Sequence, residues 1–158
     1  MEYIASITDM ADDEGGVAVV APLVEYNSSQ ANPGQSRPIA VFLRDQGDAV
    51  MGGLWGNTAH GWLFTQLLVV PEGMRGREIG REIVRLAEQE AVRRGCLGAW
   101  LDTVELQARG FYEDIGYECF GELPNYPSGS TRFFMKKVFQ ESKDDSPIEA
   151  ASAKEFCI

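Results

Sequence analysis

Apolar residues in this chain alternate between short runs bounded by turn formers and one long stripe at helical spacing. Glu2–Ile7 reads as a short first strand, and Asp9, Asp12 and Asp13 suit a helix N-cap and first turn. The segment from Gly15 to Tyr26 carries two patterns. Its valines favour a strand and Pro22 argues against a helix interior, yet Val17, Val20, Ala21 and Val24 form a helical stripe. Asn27–Arg37 is rich in turn formers and has no periodicity, as expected of a loop. Ile39–Leu43 and Ala49–Trp55 read as strands joined by a hairpin turn at Asp45–Asp48. Asn57–His60 turns the chain again into Trp62–Leu67, which continues as the apolar run Leu67–Val70 until Pro71 stops it.

Beyond Gly73 the period changes. Ile79, Ile83, Leu86, Ala87 and Ala91 predict a helix that opens within Arg75–Gly80 and closes at Arg94-Gly95. Glu90 and Arg94 are spaced to pair on it. Cys96–Asp102 is the next buried strand, Gln107–Ile115 a short helix closed by Gly116, and Tyr117–Phe120 another strand start. A long turn, Glu122–Ser130, precedes a last strand, Thr131–Val138. The pattern thus predicts an α/β domain over residues 1–139, with three antiparallel strands ahead of the long helix. A polar tail follows at 140–158, whose composition suits a flexible terminus.

Composition narrows the partners. The chain has 158 residues, enough for one domain with a sizeable core. No apolar run approaches the roughly 20 residues of a membrane span. The start, Met1-Glu2-Tyr3-Ile4, lacks the features of a signal peptide, so a cytoplasmic location with no membrane partner is expected. The net charge is −10, although Arg75, Arg77, Arg81 and Arg85 cluster together. An acidic remainder argues against nucleic acid and suits a cationic substrate. Cys96, Cys119 and Cys157 with the single His60 have no metal-ligand spacing, so no metal is expected.

The chemistry concentrates where the apolar strand feeds the helix. A helix start offers unpaired N–H groups, and its dipole favours negative charge. With Arg75, Arg77 and Arg81 alongside, this point suits a pyrophosphate. The loop has neither the Gly-Lys-Ser/Thr of a Walker loop nor a Gly-x-Gly-x-x-Gly fingerprint. From Arg75 to Gly80 it resembles the Arg/Gln-x-x-Gly-x-Gly/Ala element of the GNAT superfamily of N-acetyltransferases, with Glu78 where the middle glycine is usual. Downstream, Ala108-Arg109-Gly110-Phe111-Tyr112-Glu113-Asp114-Ile115-Gly116-Tyr117 is similar to the family's Ala-x-x-Phe-Tyr-Glu-x-x-Gly-Phe/Tyr element. Trp100-Leu101-Asp102-Thr103, Phe120-Gly121-Glu122, Tyr126-Pro127 and Arg132 resemble a bacterial subgroup acting on small molecules.

The resemblance implies the GNAT acyl-CoA N-acyltransferase fold, a mixed and mostly antiparallel sheet flanked by helices, with Gly15–Tyr26 helical around Pro22. It implies acetyl-CoA as co-substrate, threaded between the fourth and fifth strands. Backbone groups of Leu68, Val69 and Val70 would bond the pantetheine amides, and those of Arg75, Gly76, Arg77, Glu78, Ile79, Gly80 and Arg81 the pyrophosphate. Tyr112 would be the general acid toward the coenzyme sulfur. The family often has Asn where Glu105 stands here.

Direct attack of an amine on a thioester needs placement and proton transfer, not a covalent nucleophile. Gln66 is a poor base, which leaves Asp102, Glu105 or Glu72 acting through water. Trp55, Trp62, Gln66 and Tyr126 could wall an acceptor pocket. The expected reaction is acetylation of a small cationic amine, an aminoglycoside-type antibiotic or a polyamine, and the resemblance implies a homodimer as one assembly. The alternatives are N-terminal or lysine acetylation of a protein, or a weakly catalytic CoA-binding regulatory domain. Within a first helical turn, Glu78→Gly would cost about 1 kcal/mol of stability.

Overall fold

The structure, a computed structural model, describes residues 4–10, 12–28, 35–104 and 106–139. The chain divides into two compact units, Met1–Gln35 and Ser36–Ile158. The tail 140–158 and the centre of the 27–37 loop lie outside the described residues.

Among its described residues the first unit contains one helix, α1 (Asp13–Ser28), with Pro22 inside it. The segment is thus helical, as the family resemblance implied, although Val17, Val20 and Val24 of the stripe remain exposed. Asp12 caps the start: its Oδ1 accepts a hydrogen bond from the Gly15 N–H at 2.8 Å, and Asp13 and Glu14 occupy the first turn. The expected first strand is corrected here, because Ile4–Ile7 adopt no strand. A strand needs an edge to satisfy its N–H and C=O groups, and the described residues of the same unit offer none.

The second unit is a six-stranded sheet with helices. Its elements are β1 (Arg37–Arg44), β2 (Val50–Ala59), β3 (Trp62–Val69), a 3₁₀ turn (Glu72–Met74), α2 (Ile79–Arg93), β4 (Gly98–Thr103), α3 (Leu106–Asp114), β5 (Glu118–Pro124) and β6 (Thr131–Val138). The strand order is β1-β2-β3-β4-β6-β5, and only β3 and β4 run parallel. That single parallel pair needs a crossover, and α2 supplies it. The sheet is mixed and mostly antiparallel, as expected. Asp45 shapes the β1–β2 hairpin by accepting from the Gly47 and Ala49 N–H groups at 2.8 and 2.9 Å. The turn expected at Asn57–His60 shrinks to His60-Gly61, because Asn57 and Thr58 stay in register with Phe64 and Leu63. Pairing on both sides overrides their turn propensity.

Alternation sorts the sheet into two faces. One carries Ile39, Leu54, Leu63, Ala99, Leu101, Phe133 and Met135 into the core, where Leu63, Leu101 and Met135 are almost wholly buried. Helix α2 packs on this face across β1 to β4, and α3 lies against β5 and β6. Ala87 and Ala91 of α2 and Ala99 of β4 are fully buried small residues, so helix and sheet approach closely. The other face bears Phe64 and Trp100, cross-strand neighbours stacked at 4.0 Å.

The far end of α2 is tied down. The Gly95 N–H bonds the Val92 carbonyl and the Cys96 N–H the Ala91 carbonyl, both at 2.9 Å, around Gly95 at φ 82°. This is a Schellman closure, and it puts the glycine where its lack of a Cβ is needed. Arg94 adds hydrogen bonds to the Arg37 and Pro38 carbonyls and to Thr58 Oγ1, which pins α2 to β1 and β2.

Candidate active site

β3 and β4 pair only from Trp62 with Gly98 to Thr65 with Leu101. Beyond that register the two strands share no further pairing, although β3 continues to Val69 and β4 to Thr103. A bulge helps to turn β3 away. Trp55 pairs with Leu67 and Gly56 with Thr65, so Gln66 is left without a partner residue on β2. Gly56 has no room for a Cβ against the Phe64 carbonyl, which lets β2 and β3 approach at the slip. Past the bulge, Leu67 to Val69 keep their bonds to β2 while their other edge faces the gap.

The chain leaves β3 through Val70 and Pro71, makes the 3₁₀ turn, and bends at Gly76 (φ 72°) before α2. Two expectations change here. The helix opens at Ile79, so Arg75, Gly76 and Arg77 belong to the loop. Glu78 is the N-cap rather than a first-turn residue, and it is left-handed at φ 61°, ψ 1° with no side-chain cap bond. That conformation favours glycine and strains other L-residues, by about 1–2 kcal/mol. The glycine usual at this position in the resembling proteins thus has a conformational reason that spacing alone could not show. The Glu78 carboxylate turns outward, largely exposed, and accepts from Arg81 Nε at 2.6 Å. The first intrahelical bond runs from the Glu82 N–H to the Glu78 carbonyl. The N–H groups of Ile79, Gly80 and Arg81 therefore have no partner within the helix.

A cleft of about 800 Å³ joins these features. One wall is Leu68, Val69, Val70, Arg75, Gly76, Glu78, Ile79, Gly80 and Arg81, and the other is Ala108, Gly110, Phe111, Tyr112 and Asp114 of α3. Of the residues expected to hold the cofactor, only Arg77 does not line it. The Val70 carbonyl is already used, accepting from Arg75 Nε at 3.2 Å. Arg81 also reaches the Asp114 carbonyl at 3.5 Å, so it spans the two walls.

Tyr112 comes from α3 and is 7% exposed. Burial pushes its phenol up to about 12. It is therefore a neutral hydrogen-bond donor throughout the physiological range. Phe111 beside it approaches Gly80 so closely that a Cβ there would lie 3.3 Å from the ring.

The other expected site residues scatter. Asp102 sits on the face opposite α2, where its Oδ2 accepts from Arg132 Nε at 2.7 Å, and the Arg132 guanidinium lies 4.7 Å from the Tyr126 ring centre. Asp102 and Tyr126 are thus linked through Arg132, a residue to which sequence reasoning gave no role. Strand register alone brings those groups together, and register is not visible in a pattern. Trp55 and Leu67 are paired and exposed beside the bulge. Trp62 is at the opposite end of β3, packed over Gly98, and seven residues of strand put it about 23 Å from Val69. It lies in the paired part of β3 and β4 rather than beside the gap. Glu72 is exposed in the 3₁₀ turn, outside the cleft lining, and Glu105 lies outside the described residues.

Among the described residues no group of three or more His, Cys, Asp and Glu side chains could hold a metal ion, and no helix is long and apolar enough to cross a membrane.

Comparison with known proteins agrees with this geometry. Residues 8–117 match the model of the acetyltransferase (GNAT) family. The chain is 40% identical over 133 residues to Acetyltransferase Atu2258 of Agrobacterium fabrum, covering 84% of this chain and 97% of that one. It is 34% identical over 108 residues to the Blasticidin-S acetyltransferase of Streptomyces morookaense, covering 65% and 79%. A crystal structure described as an acetyltransferase from Agrobacterium tumefaciens superposes with a TM-score of 0.80 at 39% identity, over 88% of this chain and all of that one. Solved structures of the same fold hold acetyl-CoA or coenzyme A. The diverging strands, the open helix start and these relatives lead to one assignment: the chain is an acetyl-CoA-dependent acetyltransferase and belongs to the GNAT family.

Proposed function

We propose that the protein moves acetyl from acetyl-CoA to an amine of a small cationic molecule, of the aminoglycoside or polyamine kind. The observation that supports this reading most is that one cleft is bordered by three things: the open edge of β3, the free N–H groups at the start of α2, and Tyr112. Pantetheine would add to β3 as a further strand does, through Leu68 and Val69, and the pyrophosphate would take the N–H groups around Gly76–Arg81. The acceptor would come from the sheet face opposite α2, past Trp55, Leu67 and the Arg132-held Asp102.

The amine attacks the thioester carbon, the C–S bond breaks, and negative charge collects on sulfur. A phenol held near 12 is a poorer acid than a thiol, whose ordinary value is about 8.5. Tyr112 therefore acts best by donating a hydrogen bond to the developing thiolate while keeping most of its proton. Such a contact exists only as charge develops, so it serves turnover rather than cofactor binding. The Asp102 carboxylate, already engaged by Arg132, suits orienting a cationic acceptor more than taking its proton. That proton goes to water at the mouth of the cleft.

The test is release of coenzyme A, followed by thiol detection, with a polyamine, an aminoglycoside, a neutral amine and a peptide with a free N-terminus. Turnover with the cationic small molecules is expected, falling with added salt because screening acts over about 8–10 Å. Preference for the peptide would overturn the small-molecule reading. Acetyl-CoA binding without turnover on any amine would favour a regulatory domain.

A further inference from the structure

Helix α3 ends as α2 does, and its ending bears on Tyr112. The Gly116 N–H donates to the Glu113 carbonyl at 3.0 Å and the Tyr117 N–H to the Tyr112 carbonyl at 2.9 Å, around Gly116 at φ 95°. A Schellman closure of this kind brings the residue after the glycine against the residue three before the cap, commonly as an apolar contact. Here those two residues are Tyr117 and Tyr112. Their rings meet edge to face, 5.5 Å between centres and inclined at 64°. Phe111 supports Tyr112 through a second edge contact, at 5.1 Å and 70°.

Tyr117 is itself braced from behind. It is 4% exposed, and Lys137 Nζ lies 5.7 Å from its ring centre while donating to Glu88 Oε2 at 2.7 Å. The Tyr117 hydroxyl and Glu88 Oε1 are both buried and near enough to interact, without the geometry of a full hydrogen bond. Glu88 of α2 and Lys137 of β6 do not themselves line the cofactor cleft.

We propose that Tyr117 is a positioning residue for Tyr112: its ring edge sets the direction in which the Tyr112 hydroxyl meets the cofactor cleft. The helix ending at Gly116 delivers that edge, and the Lys137–Glu88 pair keeps it in place. A misplacement of about 1 Å can cost on the order of 100-fold in rate, so a ring contact of this kind is worth a large factor in turnover. The inference rests on the reading of Tyr112 as donor to the thiolate.

The experiment is a double-mutant cycle with Tyr117→Leu and Tyr112→Phe, reading turnover and acetyl-CoA dissociation constant at a temperature where circular dichroism shows each variant folded. Tyr117→Leu is expected to lower turnover at least about tenfold while leaving the dissociation constant within about threefold. Tyr117→Phe keeps the ring and is expected to retain turnover within about twofold. In the Tyr112→Phe background, Tyr117→Leu should lower turnover no further. Should Tyr117→Leu not fold, Tyr117→Met, closer in volume, takes its place in the cycle. Additive losses, or a leucine or methionine variant with normal turnover, would overturn the positioning role. A Tyr112→Phe variant with normal turnover would instead overturn the donor reading on which it rests.

Discussion

The two ends of α2 are built on opposite plans. At the far end the protein satisfies its own polar groups. Gly95 and Cys96 cap the last carbonyls, and Arg94 runs across to β1 and β2. At the near end nothing in the helix takes the first N–H groups, Glu78 offers no cap bond, and the wall of a large cleft begins there. A helix terminus left open beside a cleft is one that a ligand can complete, whereas a closed one serves stability. The difference teaches where to look for function: at polar backbone groups that the fold declines to satisfy.

Substitutions at the two ends should therefore separate stability from cofactor affinity. The largest effect is expected at the closed end. Gly95→Ala forces a Cβ into a left-handed position and should cost about 1–2 kcal/mol in chemical denaturation, with the acetyl-CoA dissociation constant unchanged. A weakened cofactor affinity in that variant would break the comparison.

At the open end the sign reverses. Because Glu78 is a left-handed N-cap, Glu78→Gly should stabilise the protein by about 1 kcal/mol, against the loss expected from a first-turn position. The backbone N–H is retained and the Glu78 side chain points outward, so acetyl-CoA affinity should change by less than about tenfold, even with Arg81 released from its pair. Calorimetric titration beside a melting curve reads both quantities. A gain beyond tenfold would mean that the Glu78–Arg81 pair competes with the pyrophosphate.

The smallest effect concerns acid. Hydrogen bonds from Arg93 and then Arg94 hold the Glu90 carboxyl down at about 2, from an ordinary 4.5. A carboxylate with a lowered folded value stabilises above its unfolded value and loses that contribution as the pH falls from about 4.5 toward 2. Glu90→Gln should flatten the fall of melting temperature in that window and leave it unchanged near neutrality apart from a constant offset. Equal slopes for the two proteins would remove Glu90 from the closed end's account.

The backbone part of the candidate site was legible through motifs that resemble those of the family. The run Leu67–Val70, the arginine-glycine loop and the Ala108–Tyr117 element lie within short stretches, and their geometry follows from propensity, turn chemistry and helix capping. That is why almost every residue expected to touch the cofactor lines one cleft, and why β6 spans Thr131–Val138 as read. Residues that act through side chains were less legible. Trp62 looked equivalent to Trp55, yet strand length puts it at the far end of β3. Asp102 looked free, yet it is held by Arg132 from a strand thirty residues away. Glu78 looked helical, yet it is left-handed. The reason is physical: hydrogen bonds that build helices and turns connect near neighbours, so the chain encodes them locally. Strand register, the Gln66 bulge and the parting of β3 from β4 are decided by long-range pairing and packing, and only the folded sheet determines which side chains meet.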